Sequence, residues 1–189
     1  MTNTSIPEIE TARLRLSAFT LNDLMTFRVM QSDPDVMKYI GDGKPRDEEQ
    51  VIAWVERNTL RWKQHGLGLW AVTLAGPGTL LGWCGLAMLD GTAEVEVGYG
   101  FDKPYWNMGY ASEAARASLR FGFGKLNLER IVAVAIPDNI ASRCVMEKLG
   151  MKYVRQAFHY GADVAYYAVT RNEFHVNDND SPHALREGR

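Results

Sequence analysis

The segment Arg130-Ile131-Val132-Ala133-Val134-Ala135-Ile136 limits the possible folds of this chain more than any other. A nearly continuous apolar run of that length is expected of a strand buried on both faces, and therefore of one at the centre of a sheet. Helical spacing precedes it over Ala111 to Phe123. It resumes past Pro137 over Ile140 to Leu149, where Gly150 ends the pattern. Lys152 to Tyr160 and Val164 to Thr170 then alternate polar and apolar residues, as the two arms of a closing hairpin do.

The rest of the chain supplies neighbours for that strand. Arg13 to Phe19 alternates with period two, which suits a strand with one solvated face. Thr20 and Asp23 open a helix whose stripe of Leu24, Phe27 and Met30 carries it to Gln31, and Pro34 to Ile40 reads as a short helical turn. Asp47 to His65 spaces Val51, Ile52, Trp54, Val55, Leu60 and Trp62 among charges, a helical pattern that Gly66 stops. Leu69 to Leu74, Leu80 to Leu89 and Ala93 to Phe101 follow as strands. Gly76-Pro77-Gly78 and Asp90-Gly91 separate them, so they read as an antiparallel meander. The fold class is α/β, with a mixed, mostly antiparallel sheet flanked by helices.

A chain of 189 residues with 46% hydrophobic content can bury a substantial core and is expected to be one domain, spanning 1–176. The polar tail 177–189 contains Pro182, lacks periodicity and is expected to be disordered. With 21 basic and 23 acidic residues the net charge is −2, which leaves no broad positive surface for a nucleic acid or an anionic membrane. No run of about 18 apolar residues occurs, and the N-terminus lacks a basic region followed by an apolar core, so a cytoplasmic location is expected. Cys84 and Cys144 are expected to be buried free thiols. His65, His159, His175 and His183 have no neighbours arranged as metal ligands or as a nucleophilic triad, and no metal is expected.

The stretch with chemical content runs from Glu94 to Ala114, as a strand to Phe101, a loop through Asp102-Lys103-Pro104-Tyr105, and a helix start after Trp106-Asn107-Met108-Gly109. Gly109 permits a tight turn, Ala111 permits close approach, and the free N–H groups of the first helical turn face an anion at the positive end of the dipole. Small residues at helix starts are common and most such turns bind nothing, so the loop gains meaning only from its surroundings.

Those surroundings resemble the GNAT superfamily of acyl-CoA N-acyltransferases. The family's coenzyme loop, Gln/Arg-x-x-Gly-x-Gly/Ala, is matched by Trp106-x-x-Gly109-x-Ala111, with Trp106 replacing the usual polar residue. Asn139-Ile140-Ala141-Ser142 is similar to the family's Asn-x-x-Ser, and Glu147-Lys148-Leu149-Gly150-Met151 to the motif that follows it. With Thr11-Ala12-Arg13-Leu14-Arg15-Leu16 added, the likeness spans Glu10 to Phe174 and resembles the branch of RimJ/RimL-type ribosomal-protein N-terminal acetyltransferases.

The resemblance implies a sheet splayed near Gly98 that receives acetyl-CoA. The backbone of Val97, Gly98 and Tyr99 would hold the pantetheine arm, Met108, Gly109, Tyr110, Ala111 and Ser112 the pyrophosphate, and Asn139 would contact the arm. The implied reaction acetylates a primary amine, either a protein or peptide N-terminus or a small molecule such as a polyamine, amino acid or antibiotic. A non-catalytic acetyl-CoA sensor is the alternative outside the enzyme class, and a homodimer is expected by analogy. A dinucleotide-binding fold is excluded, because no G-x-G-x-x-G follows an early strand.

An amine attacks a thioester only when neutral, and with pKa values of about 7.7 to 8.0 for an α-amine against about 10.4 for lysine, a terminus needs less help. Glu94, Glu96 and Gly98 share one strand face. Glu96 matches a frequent family glutamate and is the first candidate base, Glu94 the second; solvated or ion-paired side chains are the ordinary alternative. The family tyrosine that protonates the departing thiolate corresponds to Met146, which has no proton to give, whereas Ser142 offers a hydroxyl or else a helix cap. Trp54, Trp62, Trp70, Trp83, Tyr39 and Tyr105 are read as packing residues.

Overall fold

The computed structural model describes residues 6–174 together with 185 and 186. Among the described residues nine strands form one sheet: β1 (Glu8–Glu10), β2 (Leu14–Ser17), β3 (Leu69–Leu74), β4 (Leu80–Met88), β5 (Val95–Phe101), β6 (Arg130–Ala135), β7 (Lys152–His159), β8 (Ala162–Thr170) and β9 (Leu185–Arg186). Their order is β7-β8-β6-β5-β4-β3-β2-β1-β9. Every neighbouring pair is antiparallel except β5 and β6. β6 is therefore internal, as its apolar run requires. Within the tail expected to lack structure, Leu185–Arg186 pairs with β1, since backbone pairing at an open edge needs no side-chain pattern. The rest of that tail, His183 included, lies outside the described residues, as does His175 just before it.

Five helices cover the sheet: α1 (Leu21–Ser32), α2 (Pro34–Met37), α3 (Glu48–His65), α4 (Tyr110–Gly124) and α5 (Ile140–Lys148). Local chemistry fixes their starts. The Thr20 N–H and hydroxyl both donate to the Asp23 carboxylate at 2.7 Å. Asp47 and Gln50 exchange bonds of 3.0 and 2.8 Å that satisfy backbone donors at the start of α3. Buried Asn58 then pins α3 to the beginning of β3, accepting from Leu69 N–H at 2.8 Å and donating to its carbonyl at 2.7 Å.

Strand alternation sorts the core onto two faces. Trp70 and Val72 of β3 pack with Ala114, Ala115 and Leu119 of α4 and with Met146 of α5. Leu69 and Ala71, on the opposite face, pack with Phe27 and Met30 of α1 and Val51 of α3. Trp62, Trp70 and Trp83 are buried, with Trp70 at 4.7 Å from Trp62 and 5.2 Å from Phe121, and Trp54 lies 5.9 Å from Trp83. Each such side chain, fully buried, contributes on the order of 2–3 kcal/mol.

Cys84 is a buried free thiol, 3.4 Å from the Ser118 hydroxyl, and burial pushes it up to about 12. Cys144 corrects the expectation: it is exposed. The short helix α5 buries only Met146, and Cys144, two residues earlier at about 100° per residue, points to the opposite side.

Candidate active site

The sheet opens between β5 and β6. Their parallel ladder holds one register pair, Glu96↔Val132. Both strands continue beyond it, β5 pairing with β4 as far as Phe101↔Gly82 and β6 with β8 as far as Ala135↔Ala165. Past Glu96 the facing edges of β5 and β6 thus have no strand partner in each other. Such edges can hydrogen-bond an extended chain as an added strand.

Along β5, Val95, Val97 and Phe101 enter the core beneath α4 and α5, so Glu94, Glu96, Gly98 and Gly100 point to the α1 and α3 side. The Trp83 indole explains Gly100 and lies in ordinary contact range of Gly98. A Cβ at Gly100 would stand 2.7 Å from Trp83 Nε1, and one at Gly98 would stand 3.4 Å from the same ring. The strand here presents bare backbone.

Glu96 occupies the fork itself. Burial pushes its carboxyl up to about 7, against the opposing pulls of a hydrogen bond from the Tyr160 hydroxyl and of the Arg61 guanidinium. A carboxyl raised in this way has the proton affinity that a base working near neutral pH needs. Glu94 is committed elsewhere: both its oxygens lie 2.7 Å from the Tyr166 hydroxyl, and Arg130 pairs with it.

On the other face, Asn139 caps α5, its Oδ1 accepting the Ser142 N–H at 3.1 Å. The capping role weighed for Ser142 therefore belongs to Asn139. The Ser142 hydroxyl instead meets the Tyr99 hydroxyl at 3.1 Å, while Tyr99 donates to the Ser142 carbonyl at 3.0 Å. With its one proton on that carbonyl, the phenol accepts from Ser142. Burial pushes the Tyr99 phenol well above its ordinary value, so it stays protonated. Met146 is 1% exposed and faces the core rather than a cleft.

Helix α4 begins after Gly109, whose φ of 80° is the left-handed conformation that favours glycine. Among the described residues no side chain caps this helix. The N–H groups of Tyr110, Ala111 and Ser112 precede the first helical bond, from Glu113 N–H to the Gly109 carbonyl at 3.1 Å. Glu113 is neutralised locally. It accepts from Arg13 Nε at 2.6 Å, from Arg13 N–H at 2.9 Å and from the Thr11 hydroxyl at 2.6 Å. Arg13 also donates to the Met108 carbonyl at 3.0 Å and lies 4.5 Å above the Tyr110 ring. Trp106 donates its indole N–H to the Phe101 carbonyl at 2.7 Å. It fastens the loop to the end of β5, which accounts for an aromatic residue at this position.

Sequence reasoning missed the Tyr99 phenol, the Arg13 strap and Tyr160, all of which meet their partners across long separations. Among the described residues no group of three or more His, Cys, Asp or Glu can hold a metal ion, and no helix is long and apolar enough to cross a membrane.

Residues 13–152 match the family described as acetyltransferase (GNAT) domain. YnaD of Bacillus subtilis (strain 168), an uncharacterized N-acetyltransferase, is 36% identical over 172 residues, covering 88% of this chain and 98% of YnaD. A GNAT-family acetyltransferase structure from Bacillus anthracis is similar with a TM-score of 0.75 at 35% identity, over 88% of this chain and 99% of that one. RimL, a ribosomal L7/L12 alpha-N-protein acetyltransferase solved in complex with coenzyme A, shares the fold with a TM-score of 0.73 at 16% identity, over 86% of this chain and 97% of its own.

Proposed function

This chain belongs to the acetyltransferase (GNAT) family, and from that membership we propose that it moves the acetyl group of acetyl-CoA to a primary amine, first of all the terminal amine of a protein or peptide. The observation that carries the reading is the fork in the sheet, with a single β5–β6 register pair and a carboxyl standing at it.

Acetyl-CoA supplies the activated acyl group, and a bond from the amine nitrogen to the acetyl carbon forms as the carbon–sulfur bond breaks. The chain's residues bind, orient and move protons. Unpaired backbone at Val97, Gly98 and Tyr99 holds the extended arm, and the amide nitrogen of Asn139 reaches it while Oδ1 keeps its cap. The loop from Met108 to Ser112, with the free N–H groups of Tyr110, Ala111 and Ser112 and the helix dipole, holds the pyrophosphate. Glu96 takes the amine proton. Coenzyme A leaves as the thiolate, a tolerable leaving group that takes its proton from water, and the Ser142 hydroxyl, on the opposite face of the sheet, turns from Tyr99 to hydrogen-bond the departing sulfur.

Energetics favour a terminal amine. At pH 7 its deprotonation costs about 1 kcal/mol against roughly 4–5 for lysine, and a base with a pKa of about 7 closes the smaller gap. No covalent enzyme intermediate is required: the thiol of Cys84 is buried and pushed up to about 12, and Cys144 points away from the core side of α5. The fork also argues against a sensor, because a module that only binds acetyl-CoA has no use for a desolvated carboxyl there.

The test is release of free coenzyme A thiol from acetyl-CoA across peptides with free N-termini, polyamines and aminoglycosides. Turnover with peptides supports the reading, and turnover with small amines alone moves the acceptor to that class. Binding of acetyl-CoA with no release from any acceptor returns the sensor reading.

A further inference from the structure

The turn between β7 and β8 contains a local contradiction. Its central residues, Tyr160 and Gly161, have φ of 54° and 77°, the two positive values of a type I′ hairpin turn. Asparagine or glycine satisfies the first of these positions; a tyrosine is disfavoured in the left-handed region. Residues retained against local preference point to a task for the side chain.

That task is visible in where the phenol goes. The hairpin tip reaches across the sheet face to β5, 64 residues away in sequence, and the Tyr160 hydroxyl donates to Glu96 Oε1. Asp90, in the turn after β4, holds the tip in place: its carboxylate accepts the Tyr160 N–H at 2.6 Å, and its own N–H donates to the Tyr160 hydroxyl at 3.3 Å. Arg61 approaches Glu96 from α3. The charged and titratable groups facing Glu96 are therefore Tyr160 from the hairpin, Asp90 from the β4–β5 turn and Arg61 from α3. Glu94, two residues back, is occupied by Tyr166 and Arg130.

We propose that Tyr160 is a positioning residue for the acetyl-transfer base: its hydroxyl, presented by a conformationally disfavoured turn and braced by Asp90, orients the Glu96 carboxylate and sets the pH at which it accepts a proton. The proposal rests on Glu96 being that base. A donor to a carboxylate stabilises the ionised form, and a neighbouring negative charge disfavours it, so the two partners of the tip act in opposite directions. Tyr160 lowers the proton affinity of Glu96 and Asp90 raises it.

The experiment is the pH profile of kcat/KM for the intact chain and four variants, with acetyl-CoA and an acceptor peptide, read alongside thermal midpoints and the KM for acetyl-CoA. Tyr160→Phe should move the acid limb up by about one pH unit, and Asp90→Asn should move it down. Tyr160→Asn suits the turn and should raise the thermal midpoint while still moving the limb up, which separates loss of the hydroxyl from loss of fold. The KM for acetyl-CoA should be unchanged in all three. If Glu96→Gln removes the acid limb but both Tyr160 variants leave it at the wild-type pH, Tyr160 has no such role and Glu96 stands as the base. If Glu96→Gln retains wild-type kinetics, the base assignment falls, and the role of Tyr160 with it.

Discussion

At Glu96 a carboxyl is retained where its charge is costly, and two measurable effects follow. Its pKa rises from 4.5 to about 7 on folding, so between those values the folded state binds more protons than the unfolded chain. Stability then falls as pH rises through the window, by up to roughly 3 kcal/mol from this group. Glu96→Gln should flatten that dependence, read as a smaller difference in urea midpoint between pH 5 and pH 8 than in the wild type. The same substitution should lower kcat by about 100-fold or more, the usual scale of a general base, and leave the equilibrium affinity for acetyl-CoA unaltered. Gly109→Ala tests the loop. A side chain at φ 80° costs about 1–2 kcal/mol, and calorimetry should find acetyl-CoA binding weakened without loss of the fold. At this scale the turn and helix start were legible in the sequence, because Gly109 shapes them through its own backbone. The Tyr99–Ser142 contact was not, because 43 residues separate its partners.

The elements themselves were read well wherever a period ran long enough. The helix expected from Asp47 to His65 is α3 (Glu48–His65), and the hairpin expected at 152–170 is β7 and β8. Strand β1, of three residues, is shorter than any alternation can mark. What periodicity does not contain is how elements are tied together, and two of those ties can be cut. Asn58→Leu leaves the N–H and carbonyl of Leu69 buried without this partner, and should cost about 2–4 kcal/mol, seen as a lower urea midpoint. Arg13→Ala severs the strap between the N-terminal segment and the proposed coenzyme loop. It should raise the KM for acetyl-CoA roughly 5-fold with little change in kcat, since nothing in the strap touches the fork.

For the whole molecule, the proposed coenzyme site joins the open edges of β5 and β6 to the bare start of α4, which a bound chain with an anionic end would satisfy together. Coenzyme A at 100 times its Kd should therefore stabilise the fold by about 2.7 kcal/mol, a rise of roughly 5–10 °C in thermal midpoint for a chain of this size. Absence of any rise with coenzyme A would remove the fork as its site. The sheet order was legible only in part. The meander and the central β6 follow from local pattern, whereas the parting of β5 from β6 is a property of two strands that never meet in sequence.

The parting of two strands is also a hatch in a wall. With Glu96 on the face of α1 and α3 and Ser142 carried by α5 on the other, the proposed reaction brings donor and recipient in from opposite sides, and neither has to leave before the other arrives. Initial-rate plots should intersect rather than run parallel. The acetylated product and the spent carrier should depart by separate exits, and the recipient's side of the wall is free to be recut for a new client while the carrier's side keeps its grip.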